Sequence, residues 1–288
     1  MKALFLIVLA VAIFGTGAYV TYEMFIVPKR ALEEERAQPP PPPPPDPTVP
    51  EFENAKAARK PGKLLEAREA LASFVERYPE SSKIDEAKNL LGNINTDLIL
   101  STRPAPEKVT YIVQRGDVIN RVASKLKVTP ELLMRANNMT GTMLRIGQKL
   151  TVGPADFSLV ISRKKDKVTL LNKGRFFKQY PVVSWPPQHA KKTPAGGAKA
   201  PSLAKQTGKV KDKIAWLNGQ RVIFTEKDFW SAKFWIEISI SGCTLYPDPE
   251  GAAETPNSKP INGGIALPPD ALTELGALLS KGDEVTLE

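Results

Sequence analysis

The sequence predicts a multidomain α+β chain, and three observations carry that prediction. An apolar run close to Met1 is followed by a block of prolines. Helix-periodic apolar residues fill positions 51–100, and two short helices between two short strands fill 109–153. Beyond 155 the period becomes two: Phe234, Ile236, Ile238 and Ile240 alternate with Trp235, Glu237, Ser239 and Ser241. A chain of 288 residues, 42% of them hydrophobic, has material for two or three small cores. Its net charge of +9 suits an anionic partner, but no nucleic-acid motif accompanies it, so nucleic acid is not expected. One cysteine and one histidine exclude an internal disulfide and a Cys/His zinc site; no metal and no cofactor is expected.

Ala3 to Tyr22 is almost unbroken apolar sequence after Met1-Lys2. About 20 such residues span a hydrocarbon core of about 30 Å as a helix. A signal h-region takes only about 7–15 residues, which favours an uncleaved signal anchor over a leader cut near Gly15–Ala18. Residues 1–30 are therefore assigned to a transmembrane anchor that contacts the membrane. Lys29 and Arg30 on its far side oppose the positive-inside rule, while Lys2 and the amino terminus favour the other sense. Residues 31–50 form a charged, proline-rich linker, in which Pro39 to Pro45 make a stiff polyproline II rod of roughly 20 Å.

Residues 51–100 read as a helical hairpin. Leu64, Ala67, Leu71, Phe74, Val75 and Tyr78 share one face; Pro79 breaks the helix, and Ser81-Ser82 should cap the next, which buries Ile84, Ala87, Leu91, Ile94 and Leu98. The spacing Glu66-Ala67, Tyr78-Pro79, Glu86-Ala87 resembles one tetratricopeptide unit. A lone unit cannot bury its own apolar face, so this face must find a partner. In the next segment Tyr111-Ile112-Val113 start a strand and Gly116-Asp117 stop it, with Asp117 expected as a helix N-cap. Ile119, Val122, Ala123 and Leu126 give the first helix its apolar side. Thr129-Pro130 open the second with a cap and a proline at the first helical position. Gly147 precedes the closing strand, Gln148 to Val152.

Tyr111, Gly116-Asp117, Ala123, Asn137-Asn138 and Ile146-Gly147-Gln148-Lys149-Leu150 stand where the LysM module has its signature, and 109–153 resembles that family. Val118 stands where the family usually has Thr. LysM modules bind N-acetylglucosamine-containing glycans such as peptidoglycan or chitin. The resemblance implies a groove between the first strand–helix loop and the second helix–strand loop, formed by Gly116, Asp117, Val118, Asn137, Leu144 and Ile146. Backbone amides would meet the N-acetyl carbonyl and apolar side chains its methyl. The competing reading is a packed module whose groove has decayed.

Residues 155–288 read as a mostly-β sandwich with one late helix at Asp270–Ser280. Asn172-Lys173-Gly174, Tyr180-Pro181-Val182-Val183, Thr193-Pro194-Ala195-Gly196 and the tail from Gly263 to Leu287 resemble the L,D-transpeptidase catalytic domain, which cross-links peptidoglycan stem peptides. In that family Ser-His-Gly-Cys-Ile-Arg supplies an acyl-accepting cysteine, an activating histidine and a substrate-orienting arginine, and an earlier Ile-His-Gly precedes it. Here the matched positions hold Asn262, Gly264 and Ala266, with Ser241 in the earlier motif. Acyl transfer through a thioester needs a thiolate and a base, so the resemblance implies a domain that has lost its chemistry. The alternative is an active L,D-transpeptidase with Cys243 as a relocated nucleophile and His189 as its base.

Lys191, Lys192, Lys199, Lys205, Lys209, Lys211 and Lys213 crowd one stretch, read either as a mobile basic lid or as a solvated loop. Trp216, Trp230 and Trp235 suit either a glycan surface or partial burial. The resemblances together imply a bacterial cell-envelope protein, inner-membrane anchored with its body outside the cytoplasm, or secreted if the leader is cut. Peptidoglycan glycan is its implied partner, with a protein partner at the 51–100 hairpin.

Overall fold

The structure, a computed structural model, describes residues 11, 14–27, 29, 46–59, 63–185, 205–240, 243–248 and 264–288. The chain divides into two compact units, Met1–Asp46 and Pro47–Glu288. In the first, residues 14–27 are helical and include a π-helical turn at Tyr22–Ile26. Thr21 Oγ1 donates to the Gly17 carbonyl at 2.8 Å. Phe14, Tyr19, Val20, Met24 and Phe25 are all exposed. Among the described residues no helix is long and apolar enough to cross a membrane. Residues 1–10, 12, 13, 28 and 30 of the expected anchor, and the proline rod, lie outside the described residues.

The second unit begins with three helices, where the sequence led us to expect two: α1 (Val49–Ala57), α2 (Leu64–Arg77) and α3 (Ile84–Ile99). The extra helix buries only Phe52 and Ala55, too weak a stripe to stand out in the sequence. Those two residues close the core of Ala67, Leu71, Phe74, Leu91 and Ile94, with the Phe52 and Phe74 rings 5.6 Å apart. Lys83, not Ser81-Ser82, occupies the cap position of α3, and the Ser81 hydroxyl accepts from the Lys83 N–H at 3.1 Å. The apolar face that needed a partner finds one within the chain. Phe176 packs against this core, Asn95 Nδ2 donates to the Phe177 carbonyl at 2.8 Å, and Gln179 Nε2 donates to Asn89 Oδ1 at 2.9 Å. Gly92 permits that approach, because a Cβ there would stand 2.8 Å from Lys178 Cγ.

Next comes the β-α-α-β segment: β1 (Val109–Ile112), α4 (Ile119–Leu126), α5 (Pro130–Ala136) and β2 (Lys149–Val152), with β1 and β2 antiparallel. Thr129 caps α5 as expected, its hydroxyl accepting from the Leu132 N–H at 2.9 Å. Asp117 does not cap α4; Val118 holds that position in extended conformation and makes no side-chain cap bond.

The remaining strands are β3 (Phe157–Ser162), β4 (Lys167–Asn172), β5 (Arg175–Pro181), β6 (Gln206–Leu217), β7 (Gln220–Val222), β8 (Lys233–Ile238), β9 (Thr244–Pro247), β10 (Gly264–Leu267) and β11 (Glu284–Leu287). A single late helix, α6 (Pro269–Leu278), joins the last two. The expected two-sheet sandwich is instead one nine-stranded, half-barrel sheet in the order β10-β9-β8-β6-β11-β3-β4-β5, with β7 added on β6. The reason is β6. Its first half, Gln206–Lys209, pairs with β11; its second half pairs with β8, and the register shifts between Val210 and Asp212, where the strand turns from one partner to the other. The two ends of the order then meet, since the Val183 N–H donates to the Ala266 carbonyl and the Ala266 N–H to the Ser184 carbonyl, both at 2.9 Å.

β6 also corrects the reading of the lysine-rich stretch. Lys209, Lys211 and Lys213 lie on the longest strand rather than in a lid or loop. Val210 and Ala215 are buried while Lys209 and Lys211 project outward. Lys191, Lys192 and Lys199 lie outside the described residues.

One continuous core runs from the β-α-α-β segment into the half-barrel, through Leu132, Leu133, Ile236, Leu272, Leu275 and Leu278 among others. Polar anchors accompany it. Thr129 Oγ1 donates to the Ala277 carbonyl at 2.6 Å, and Lys213 Nζ donates to the Gly276 carbonyl at 2.8 Å and faces Glu131 Oε1 at 3.4 Å. Burial holds the Lys213 ammonium below its usual pKa, against the opposing pull of Glu131.

Candidate functional site

The two loops between strands and helices in 109–153 are built as a pair. The Val113 N–H donates to the Gln148 carbonyl and the Gly147 N–H to the Val113 carbonyl, both at 2.9 Å. Asp117 organises the first loop: its Oδ2 accepts from Tyr111 OH at 2.7 Å and from the Gln114 N–H at 2.9 Å. Lys125 Nζ adds an ion pair to Asp117 Oδ1 at 3.3 Å. The Gln114 amide and the Tyr111 hydroxyl keep the Asp117 carboxyl below the usual range, so it stays ionised and fixed. Arg121 Nη1 donates to the Gly116 carbonyl at 3.1 Å. On this frame Val118 is 54% exposed and Ile146 73% exposed. Two apolar side chains thus stand in water on loops that backbone hydrogen bonds join.

Three of the six residues implied for the groove thus have work of their own. Asp117 pins its loop. Asn137 is used up between helix and strand: Nδ2 donates to the Leu133 carbonyl at 2.8 Å and to the Thr151 carbonyl at 3.0 Å, and Oδ1 accepts from the Thr151 N–H at 2.8 Å. Leu144 packs against the core. Gly116, Val118 and Ile146 remain at the surface.

The second region is the start of β10. Asn262 and Ser241, like His189, lie outside the described residues. Gly264 is buried, and a Cβ on it would stand 2.5 Å from both Cδ1 and Cε1 of Tyr246 and 3.2 Å from the Thr244 carbonyl oxygen. The Tyr246 ring fills the space that a side chain at 264 would need, and it lies 5.9 Å from the Trp235 ring. Ala266 is fully buried, with its N–H and carbonyl both committed to the closure with Val183 and Ser184. Cys243 is 3% exposed, and burial pushes its thiol up to about 11, with Arg163 only partly opposing. Burial thus favours the protonated thiol, which is the less nucleophilic form.

Residues 111–153 are a LysM domain. The Escherichia coli K12 membrane-bound lytic murein transglycosylase D is 28% identical over 94 residues, which cover 33% of this chain and 21% of that protein. The same protein of Escherichia coli O6:H1 matches equally. The chain thus spans about a fifth of the length of the curated relatives it matches. It is also similar to solved L,D-transpeptidases. That of Mycobacterium tuberculosis, L,D-transpeptidase 1, aligns with a TM-score of 0.28 and 17% identity over 49% of this chain and 68% of its own. One from Mycobacterium smegmatis aligns with 0.29 and 14% over 50% and 64%.

The sequence did not point to Met143, and it marked Gln148 only as part of the Ile146–Leu150 signature. Met143 is 84% exposed in the same loop as Ile146, and Gln148 Oε1 accepts from the Arg145 N–H at 3.0 Å to hold that loop. A large apolar residue in the loop that follows Gly141 was the available signal for Met143. The signature marked Gln148 but not its role, which depends on the loop's turn. Among the tryptophans, Trp230 stacks edge-on against Phe229 and carries Arg135 over its ring at 5.2 Å. Trp235 buries its Nε1 without a hydrogen-bond partner among the described residues, and Trp216 is partly exposed. Trp216 and Trp235 share one face of the paired strands β6 and β8, where Trp216 stands opposite Lys233.

Proposed function

We propose that this chain is a bacterial cell-envelope protein that binds peptidoglycan strands through the N-acetylglucosamine units recognised by its LysM domain. The observation that carries this reading is the exposed Val118–Ile146 surface on two loops hydrogen-bonded to each other. Gly116 joins that surface directly, while Asp117, Asn137 and Leu144 shape it from behind. In this reading 155–288 is an L,D-transpeptidase-like domain that no longer performs acyl transfer and serves as a binding or scaffolding module. The Tyr246 ring in the space beside Gly264 supports that part. Residues 1–30 anchor the body to the inner membrane, 31–50 hold it off the surface, 51–100 brace the β-domain, and 109–153 face the wall outside the cytoplasm.

Retention on purified sacculi tests the glycan reading. Ile146→Asp places a charge where an apolar contact is needed and removes no internal packing. Wild type should be retained and the variant should bind at least about tenfold more weakly; equal recovery of the two rejects the assignment. Incubation with a disaccharide-tetrapeptide tests inactivity. Cross-linked product that disappears in Cys243→Ala would replace the scaffold reading with an active transpeptidase.

A further inference from the structure

A cavity of about 560 Å³ opens where three parts of the second unit meet: helices α2 and α3, the segment around Glu107-Lys108, and the turn into β5. Pockets of roughly 300–1,000 Å³ hold small ligands. None of Gly116, Val118, Met143 or Ile146 lines it, so it is separate from the LysM surface. Its floor is apolar, built by Ala72, Val75, Leu98, Ile99 and Phe176.

The charges around that floor are arranged by sign. Arg68 and Glu107 neutralise each other in an ion pair. Lys108 donates its ammonium to the Ser101 and Arg103 carbonyls, and the other four are divided between two sides. Glu69 and Glu76 both come from α2, two turns apart and therefore on one face. Lys173 lies in the β4–β5 turn and Arg175 opens β5. All four side chains are exposed, and none takes part in an ion pair or hydrogen bond among the described residues. A neutral glycan would gain nothing from these four charges. A ligand with a small apolar body, a carboxylate and an ammonium group would use them all.

We propose that this cavity binds a short zwitterionic peptide, with a carboxylate at Lys173 and Arg175, an ammonium group at Glu69 and Glu76, and small side chains on the apolar floor. Charge-assisted hydrogen bonds to a carboxylate are the strong kind, and Arg175 can supply two in parallel. The site depends on neither glycan binding nor the loss of acyl transfer.

Isothermal titration of the full chain with the synthetic peptide Ala-Glu-Lys-Ala, both termini free, tests this. Saturable binding is expected, weakened at least about tenfold by amidating the C-terminus and about as much by acetylating the lysine. Arg175→Glu and Glu76→Lys, each exposed, should weaken it by a similar factor. Arg59→Glu, exposed and outside the cavity, should not. Retention on sacculi should be unchanged in all three variants, which shows that they fold and separates this site from the LysM surface. No saturable heat, or binding indifferent to both cavity variants, overturns the proposal.

Discussion

Thr129→Val keeps the shape of the side chain and removes only the hydroxyl. In the structure that hydroxyl accepts from the Leu132 N–H at 2.9 Å and donates to the Ala277 carbonyl at 2.6 Å, so it ends one helix and docks on another. Thr129 is buried, so water cannot take over either bond. Losing a helix cap costs about 1 kcal/mol, and leaving a buried carbonyl unpaired costs about 1–3 kcal/mol. The substitution should therefore destabilise the second unit by about 2–4 kcal/mol, a fall in melting temperature of roughly 5–15 °C for a body of this size. The four tryptophans, Trp185, Trp216, Trp230 and Trp235, all lie outside the LysM domain. Tryptophan fluorescence therefore reports unfolding of the half-barrel, although the altered residue is in the LysM domain. The expected result is a lowered fluorescence midpoint that coincides with the midpoint by circular dichroism, with Thr129→Ser close to wild type. A fluorescence midpoint that stays within about 1–2 °C of wild type would refute the reasoning, because the two parts would then unfold independently.

Gly264→Ala adds a methyl group 2.5 Å from the Tyr246 ring, and overpacking of this kind costs about 1–3 kcal/mol. A lowered midpoint in urea is expected, and an unchanged one would show that the ring yields freely. Cys243 should react with a thiol reagent far more slowly in the native chain than in the denatured chain at pH 8. Its folded-state pKa is raised to about 11, so the thiol stays protonated up to that pH and the folded state loses this preference as pH rises through it. Equal labelling rates in the two states would show an accessible, ionised sulfur.

The LysM domain was the most legible part of the chain because its determinants are local. Thr129-Pro130 marks a helix start wherever it falls, and Val122, Ala123, Leu132 and Leu133 are buried as their spacing required. Asp117 shows the limit of such rules. Its carboxylate is within reach of Tyr111 and Gln114, and they claim it before the helix can. β6 was hidden because its outward positions are lysines and its alternation breaks at the shift between Val210 and Asp212. The closeness of Gly264 and Tyr246 is a different kind of fact. It arises from the parallel pairing of β9 with β10, in which Gly264 stands opposite Thr244, and no spacing in the sequence encodes it.

The strand order ends at β5, and a bare strand edge is an open template for another chain. Here α3 lies along that strand, and Asn95 occupies the carbonyl of Phe177. The helical unit therefore acts as a guard rail. A proteolytic cut between Leu100 and Lys108 that released it would uncover Phe176 and an unpaired backbone group together, and the remaining fragment would be prone to stack with its own kind.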